Sequence, residues 1–167
     1  MRLFLAFTLA KSSVEQLAAD VEKVKETGIA GRYVLKEQYH VTIAFLGEQS
    51  EETAALLAKK VESLTFAPVS VLCEKTARFG KTVVLKLHKD VHMKETVDFL
   101  RQFLEAEKIE YDQKPFVPHI TLARRAENLD WSEFSFPESV TLEHTALYES
   151  KLTPTGPVYR ILAQSKS

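Results

Sequence analysis

One short pattern restricts this chain more than any other, because it occurs twice: His40-Val41-Thr42-Ile43 in the first half and His119-Ile120-Thr121-Leu122 in the second. Apolar and β-branched residues flank both copies, so each reads as a strand. Alternate side chains of a strand share a face, which sends His40 and Thr42 one way and Val41, Ile43 and Phe45 toward a core. His119 and Thr121 follow the same phase, with Ile120 and Leu122 behind them. Two copies of the same residue types in the same phase suggest a duplicated unit. A pseudo-symmetric pair of lobes would bring the motifs face to face across a cleft.

The elements around the motifs are consistent with duplication. Residues 2 to 9 form a nearly continuous apolar run, as in a buried strand. A helix follows, with Ser13 and Gln16 resembling a capping box, Val14, Leu17, Ala18, Val21 and Val24 on one face, and Gly28 at its C-terminal end. Short strands are expected at 33 to 36 and 39 to 46. Ser50 opens a second helix with the stripe Ala54, Leu57, Ala58, Val61 and Leu64, and Pro68 lies past its end. The order then recurs: strands at 69 to 77 and 82 to 88 parted by Gly80, a helix at 91 to 107 (Met93, Val97, Leu100 and Leu104, broadened by Phe99 and Phe103), and a strand at 119 to 124. Strands at 139 to 149 and 158 to 164 close the chain around the turn-rich segment 153 to 157. Strands outnumber helices without regular βαβ alternation, which predicts an α+β fold with largely antiparallel sheets. With 167 residues and no flexible linker, the expectation is one domain over 1–167 made of two intimately packed lobes.

Charge and cysteine content narrow the function. Twenty-two basic residues against twenty-three acidic ones give no overall field to steer the molecule along a nucleic acid, although a local basic groove is compatible with the count. Cys73 is the single cysteine, read as a small strand residue rather than a nucleophile, and a lone thiol suits a reducing cytoplasm. The apolar N-terminus meets Lys11, Ser12 and Ser13 far short of the roughly 20 residues a membrane span needs, and it has no charged leader. No membrane association and no obligate protein partner are inferred. His88, His92 and His144 read as structural or surface residues.

Neither motif histidine belongs to an HExxH, HxH or cysteine-rich set, and Glu37 and Glu48 near His40 have no counterpart beside His119, so no metal or other cofactor is expected. No GxSxG elbow is present for a serine nucleophile. Two imidazoles with ordinary pKa near 6.5 can instead hold opposite protonation states, one taking a proton from water and the other giving one to a leaving oxygen. The pair suits in-line displacement at phosphorus. A five-membered cyclic phosphodiester carries its own strain, and Thr42 and Thr121 could donate to its non-bridging oxygens.

These residues resemble the 2H phosphoesterase superfamily, in particular its RNA 2′,3′-cyclic phosphodiesterase branch, once called 2′-5′ RNA ligases. The resemblance extends over Arg2-Leu3-Phe4-Leu5-Ala6, the stretch from His40 to Glu48, Pro115-Phe116-Val117-Pro118-His119-Ile120-Thr121-Leu122-Ala123-Arg124, and the ending from Leu147 to Tyr159. It implies a bilobal pseudo-symmetric fold with sheets flanking a central cleft and helices outside. The implied reaction is metal-independent hydrolysis of RNA 2′,3′-cyclic phosphate ends to 2′-phosphomonoesters, with His40 as proton donor to the 3′ oxygen and His119 as base. Ala44, Val117, Val83 and Lys86 depart from the expected pattern and thin the positive lining. Phe79, Lys81, Arg78 and Tyr159 are candidates to line the cleft and stack on a base. Arg124 is retained, but strand alternation places it opposite His119, where a salt bridge competes with substrate contact. The same site would serve small cyclic nucleotides, ADP-ribose cyclic phosphate or 2′-5′ linked oligonucleotides. A different class of reading is an RNA-end binding or ligase-like protein.

Overall fold

In the computed structural model, which describes residues 1–167, the chain forms three α-helices, one 3-10 turn and eight strands. They run β1 (Arg2–Leu9), α1 (Lys11–Glu26), β2 (Arg32–Tyr33), a 3-10 turn (Lys36–Gln38), β3 (His40–Glu48), α2 (Glu51–Glu62), β4 (Val69–Phe79), β5 (Thr82–Leu87), α3 (Val91–Ala106), β6 (His119–Arg124), β7 (Ser139–Thr153) and β8 (Gly156–Gln164). The strand order is β2-β6-β5-β4-β7-β1-β3, with β8 on β7, and every ladder between these strands is antiparallel. The α+β expectation with antiparallel pairing therefore holds. The two half-sheets are joined through β4, whose residues 69 to 72 pair with β7 and whose residues 73 to 79 pair with β5.

With the two-residue strand β2 set aside, the order relates β6 to β3, β5 to β1 and β4 to β7, so the two motif strands occupy equivalent places. Between β7 on one side and β3 on the other, β1 is interior, which explains its unbroken apolar run. Leu3, Leu5, Phe7 and Leu9 join a core cluster of 34 buried residues that also takes the stripes of all three helices. Phe4 and Ala6 face the other way and pack with Ala146 and Tyr148. No helix is long and apolar enough to cross a membrane.

Local signals succeed or fail for identifiable reasons. The Ser50 hydroxyl accepts from the Thr53 amide (3.1 Å) and starts α2 as expected. At α1 the helix already begins at Lys11, and Ser13 caps nothing. Its hydroxyl is buried against β7, accepting from the Thr141 amide (2.8 Å) while the Ala10 amide donates to the Thr141 carbonyl (2.9 Å). The strand expected at 33 to 36 shrinks to Arg32–Tyr33, because the chain turns through Lys36–Gln38 to reach β3. Phe99 does not broaden the buried stripe of α3: it is 45% exposed, under the Lys60 ammonium at 5.0 Å. Cys73 is a half-buried strand residue whose thiol pKa burial pushes up to about 11, opposite to what a nucleophile needs.

Candidate active site

Both motifs carry a bulge at the same residue. In β3, Thr42 pairs with Ala6 and Ala44 with Leu5, leaving Ile43 unpaired. In β6, Thr121 pairs with Val84 and Ala123 with Val83, leaving Leu122 unpaired. An extra residue inverts the alternation beyond it. Ile43 and Ala44 are consequently both buried, as are Leu122 and Ala123. The next residue in each strand then turns to the cleft. Phe45, expected in the core, is 54% exposed, and Arg124, expected on the far face, lines the cleft with His40 and Thr121 and makes no salt bridge. Both expectations failed because they assumed unbroken alternation.

Two backbone carbonyls at the bulges are satisfied differently, one by the segment leading into the first motif and the other by an arginine of α3 that also holds the segment leading into the second. The Leu122 carbonyl accepts from the Val34 amide (2.9 Å), just after β2. The Ile43 carbonyl accepts from Nε (3.2 Å) and Nη2 (2.9 Å) of Arg101 in α3, whose Nη1 donates to the Lys114 carbonyl at 2.8 Å. Beside it the Asp112 amide donates to the Phe45 carbonyl (2.9 Å). The lead-in to His119 thus lies on β3, and the lead-in to His40 lies on β6.

The imidazoles are held alike. His40 Nδ1 donates to the Gln38 carbonyl (2.7 Å) and His119 Nδ1 to the Val117 carbonyl (2.6 Å), each two residues back. An Nδ1 bond of this kind leaves Nε2 as the working nitrogen. His40 Nε2 lies 3.0 Å from the Thr42 hydroxyl, which donates to it in this tautomer. Two pockets at the motifs combine them crosswise. His40 lies with Thr121, Arg124, Arg32, Gln38 and Tyr159, while His119 lies with Thr42, Phe45, Phe79, Phe116 and Arg101. Burial lowers the pKa of His40 to about 4 against its bond to Gln38, and repulsion from His119 once it is protonated and from Arg124 lowers it further. Burial first and Arg124 second likewise lower His119, opposed by the Val117 carbonyl. Both imidazoles are therefore neutral near pH 7 in the free protein.

Around His40, Phe4 lies at 5.0 Å and Tyr159 meets the ring edge-on at 5.6 Å. Phe79 meets His119 edge-on at 4.9 Å. Of the residues chosen from sequence, Phe79, Tyr159 and Arg124 are at the cleft, and Lys81 and Arg78 are not among its lining. Val83 is fully buried and Lys86 faces Glu74 at 3.8 Å, so neither lines the cleft. Sequence reasoning missed Arg32, Gln38, Arg101 and Phe45. Only Phe45 had a local clue, the small Ala44 after the motif, repeated by Ala123 in the second copy. No group of three or more histidine, cysteine, aspartate or glutamate side chains forms a metal-ligand set.

A family model described as the 2′-5′ RNA ligase superfamily matches residues 13–153. The chain belongs to that superfamily. Its similarity to curated members runs nearly end to end: 29% identity to an RNA 2′,3′-cyclic phosphodiesterase of Thermotoga maritima, covering 97% of this chain and 93% of that one. With a protein of the same name from Methanocaldococcus jannaschii, identity is 26% over 98% and 99% of the two chains. Among solved structures, Escherichia coli LigT with 3′-AMP aligns with a TM-score of 0.81 at 25% identity, covering 98% of this chain and 95% of that one. A protein of Thermus thermophilus aligns with a TM-score of 0.76 at 29% identity, over 98% and 96%. The superfamily and its fold are those that the paired motifs led one to expect.

Proposed function

We propose that this protein opens 2′,3′-cyclic phosphate ends of RNA to 2′-phosphomonoesters, with His40 and His119 as its acid/base pair. The observation that carries the reading is the matched tethering of the two imidazoles, each with Nδ1 on the carbonyl two residues back and each lining a pocket with the other motif's threonine. The names of the curated relatives point to the same substrate. In the reaction, His119 Nε2 takes a proton from water as the water oxygen attacks phosphorus. The bond from phosphorus to the 3′ oxygen breaks, and that oxygen takes the proton carried by His40 Nε2. Thr42 and Thr121 donate to the non-bridging oxygens as charge gathers there. Phe79 and Tyr159 offer aromatic surface to bases, and Arg124 adds positive charge. The whole chain acts as one domain of two lobes, in the cytoplasm, on RNA ends or small cyclic nucleotides, with no metal.

The test is incubation of an oligonucleotide ending in 2′,3′-cyclic phosphate, in EDTA, with the product phosphate located by NMR. A 2′-phosphate is expected. His40→Ala and His119→Ala should each cost about a hundredfold or more in turnover, and the double variant much less than the product of the two. Full turnover in either folded single variant, or loss in EDTA restored by a divalent ion, would sink the mechanism.

A further inference from the structure

Gln38 is hydrogen-bonded twice, and the two bonds join parts of the chain that are far apart in sequence. Its backbone carbonyl accepts from His40 Nδ1 at 2.7 Å, and its side-chain Nε2 donates to the Pro157 carbonyl at 2.7 Å, 119 residues along the chain. Pro157 opens β8 opposite Leu152 of β7, and the turn before it is closed by the Thr153 hydroxyl, which donates to the Gly156 carbonyl. The same hairpin reaches His40 again through Tyr159, whose ring meets the imidazole edge-on at 5.6 Å. Tyr159 is also edge-on to Phe4 (5.1 Å) and Tyr148 (6.3 Å), which stack on each other at 4.8 Å. Such packing leaves the hairpin little freedom beside the ring.

The second motif has no counterpart to this bond. His119 Nδ1 also donates to a carbonyl two residues back, but that carbonyl belongs to Val117, whose exposed side chain has nothing to donate. Its lead-in is held at Lys114 by Arg101 instead. The carbonyl that tethers His40 sits at the end of a single 3-10 turn, Lys36–Gln38. The ion pair of that turn, Lys36 with Glu15 at 3.2 Å, is exposed and holds it weakly. Tyr39 anchors the turn on the core side, and the Gln38 amide anchors it on the cleft side. A carbonyl free to swing would let the ring rotate or exchange tautomer, and Nε2 would then spend part of its time turned from the leaving oxygen. Resting on the reaction proposed above, we infer that Gln38 is a positioning residue, whose side chain fastens the carbonyl that orients His40 to the β7–β8 hairpin and so fixes the direction in which Nε2 delivers its proton.

Gln38→Met tests this, because it keeps the length of the side chain and removes the donor. Two readouts are compared between the unaltered protein and the variant. One is steady-state kinetics on an oligonucleotide ending in 2′,3′-cyclic phosphate. The other is the 15N chemical shifts of the imidazoles in histidine-labelled protein, with His40 assigned from the signal missing in His40→Ala. The unaltered protein should hold His40 in the single tautomer with hydrogen on Nδ1, and the variant should show a mixture. In parallel kcat should fall about tenfold, with KM within about twofold. Ser50→Ala, which removes the cap of α2, should lower the thermal midpoint and leave kcat and the tautomer unchanged. Mixed tautomers in the unaltered protein, or a variant in which only one of the two readouts moves, overturn the inference. So does a rise in KM at constant kcat, which would make Gln38 a substrate contact. Loss of fold in Gln38→Met, seen by circular dichroism, or an equal fall of kcat in Ser50→Ala would make the bond merely structural. If the unaltered protein hydrolyses no cyclic phosphate, the functional reading falls, and the tautomer comparison still decides whether Gln38 holds the ring.

Discussion

Neutral imidazoles set the terms of the chemistry at the residue scale. With the pKa of His40 lowered to about 4 and that of His119 also lowered, little of the free protein holds a proton on the intended acid at pH 7. An anionic phosphate between the rings favours their charged forms and raises both values. In the mechanism proposed above, the proton that His40 donates would thus be acquired together with the substrate. The profile of kcat/KM reports the free protein and that of kcat reports the complex. The first should be a bell centred below pH 6.5, the unperturbed histidine value, and the second should be displaced to higher pH. The apparent values belong to the pair. Superimposable profiles from initial rates between pH 4 and 9 would contradict this account of how His40 is charged.

At the scale of elements, the bulges decide what reaches the cleft, and their carbonyls are satisfied differently. Leu122 is held by a backbone amide, whereas Ile43 depends on the Arg101 side chain. Arg101→Met keeps the length and removes all three donors, leaving the Ile43 and Lys114 carbonyls without them. Each lost bond of this kind typically costs about 1 kcal/mol, and more where an acceptor stays buried. We expect a thermal midpoint lower by several degrees, together with a tenfold or greater fall in kcat as Thr42 and the lead-in to His119 lose their common anchor. Arg101→Lys, with one donor centre, should recover only part. An unchanged kcat would show that Arg101 only stabilises the fold. The bulges also mark where the sequence stopped being readable. Up to Thr42 and Thr121 the period of two was sufficient, because local pattern and tertiary burial agree there. Phe45 and Arg124 were misplaced because a bulge is a property of two paired strands, and neither strand alone announces it. The same holds for Ser13, a plausible cap by composition whose partner, Thr141, lies 128 residues away. Ser50 was readable because its partner, Thr53, lies three residues on.

For the whole molecule, the exchange of lead-ins means that neither motif strand is complete without the other half of the chain. A core cluster of 34 residues drawn from both halves reinforces this. Unfolding should therefore be one cooperative event. Trp131, the single tryptophan, is buried beside Tyr33 and Phe136 and reports on the second half, while far-UV circular dichroism reports on all elements. Their denaturant midpoints should coincide, and separated midpoints would mean lobes that unfold independently. The near-twofold scaffold has one further consequence. A cleft with identical walls would accept a ribose ring equally well in either direction, and the 2′ and 3′ oxygens would leave at similar rates. Here the position after each bulge breaks that equivalence, with Phe45 lining one pocket and Arg124 the other. On the function proposed above, the cleft would then, like a word that cannot be read backwards, impose an orientation on its guest, and regiochemistry, a single phosphate isomer in the product, would follow from the difference between the two motif strands.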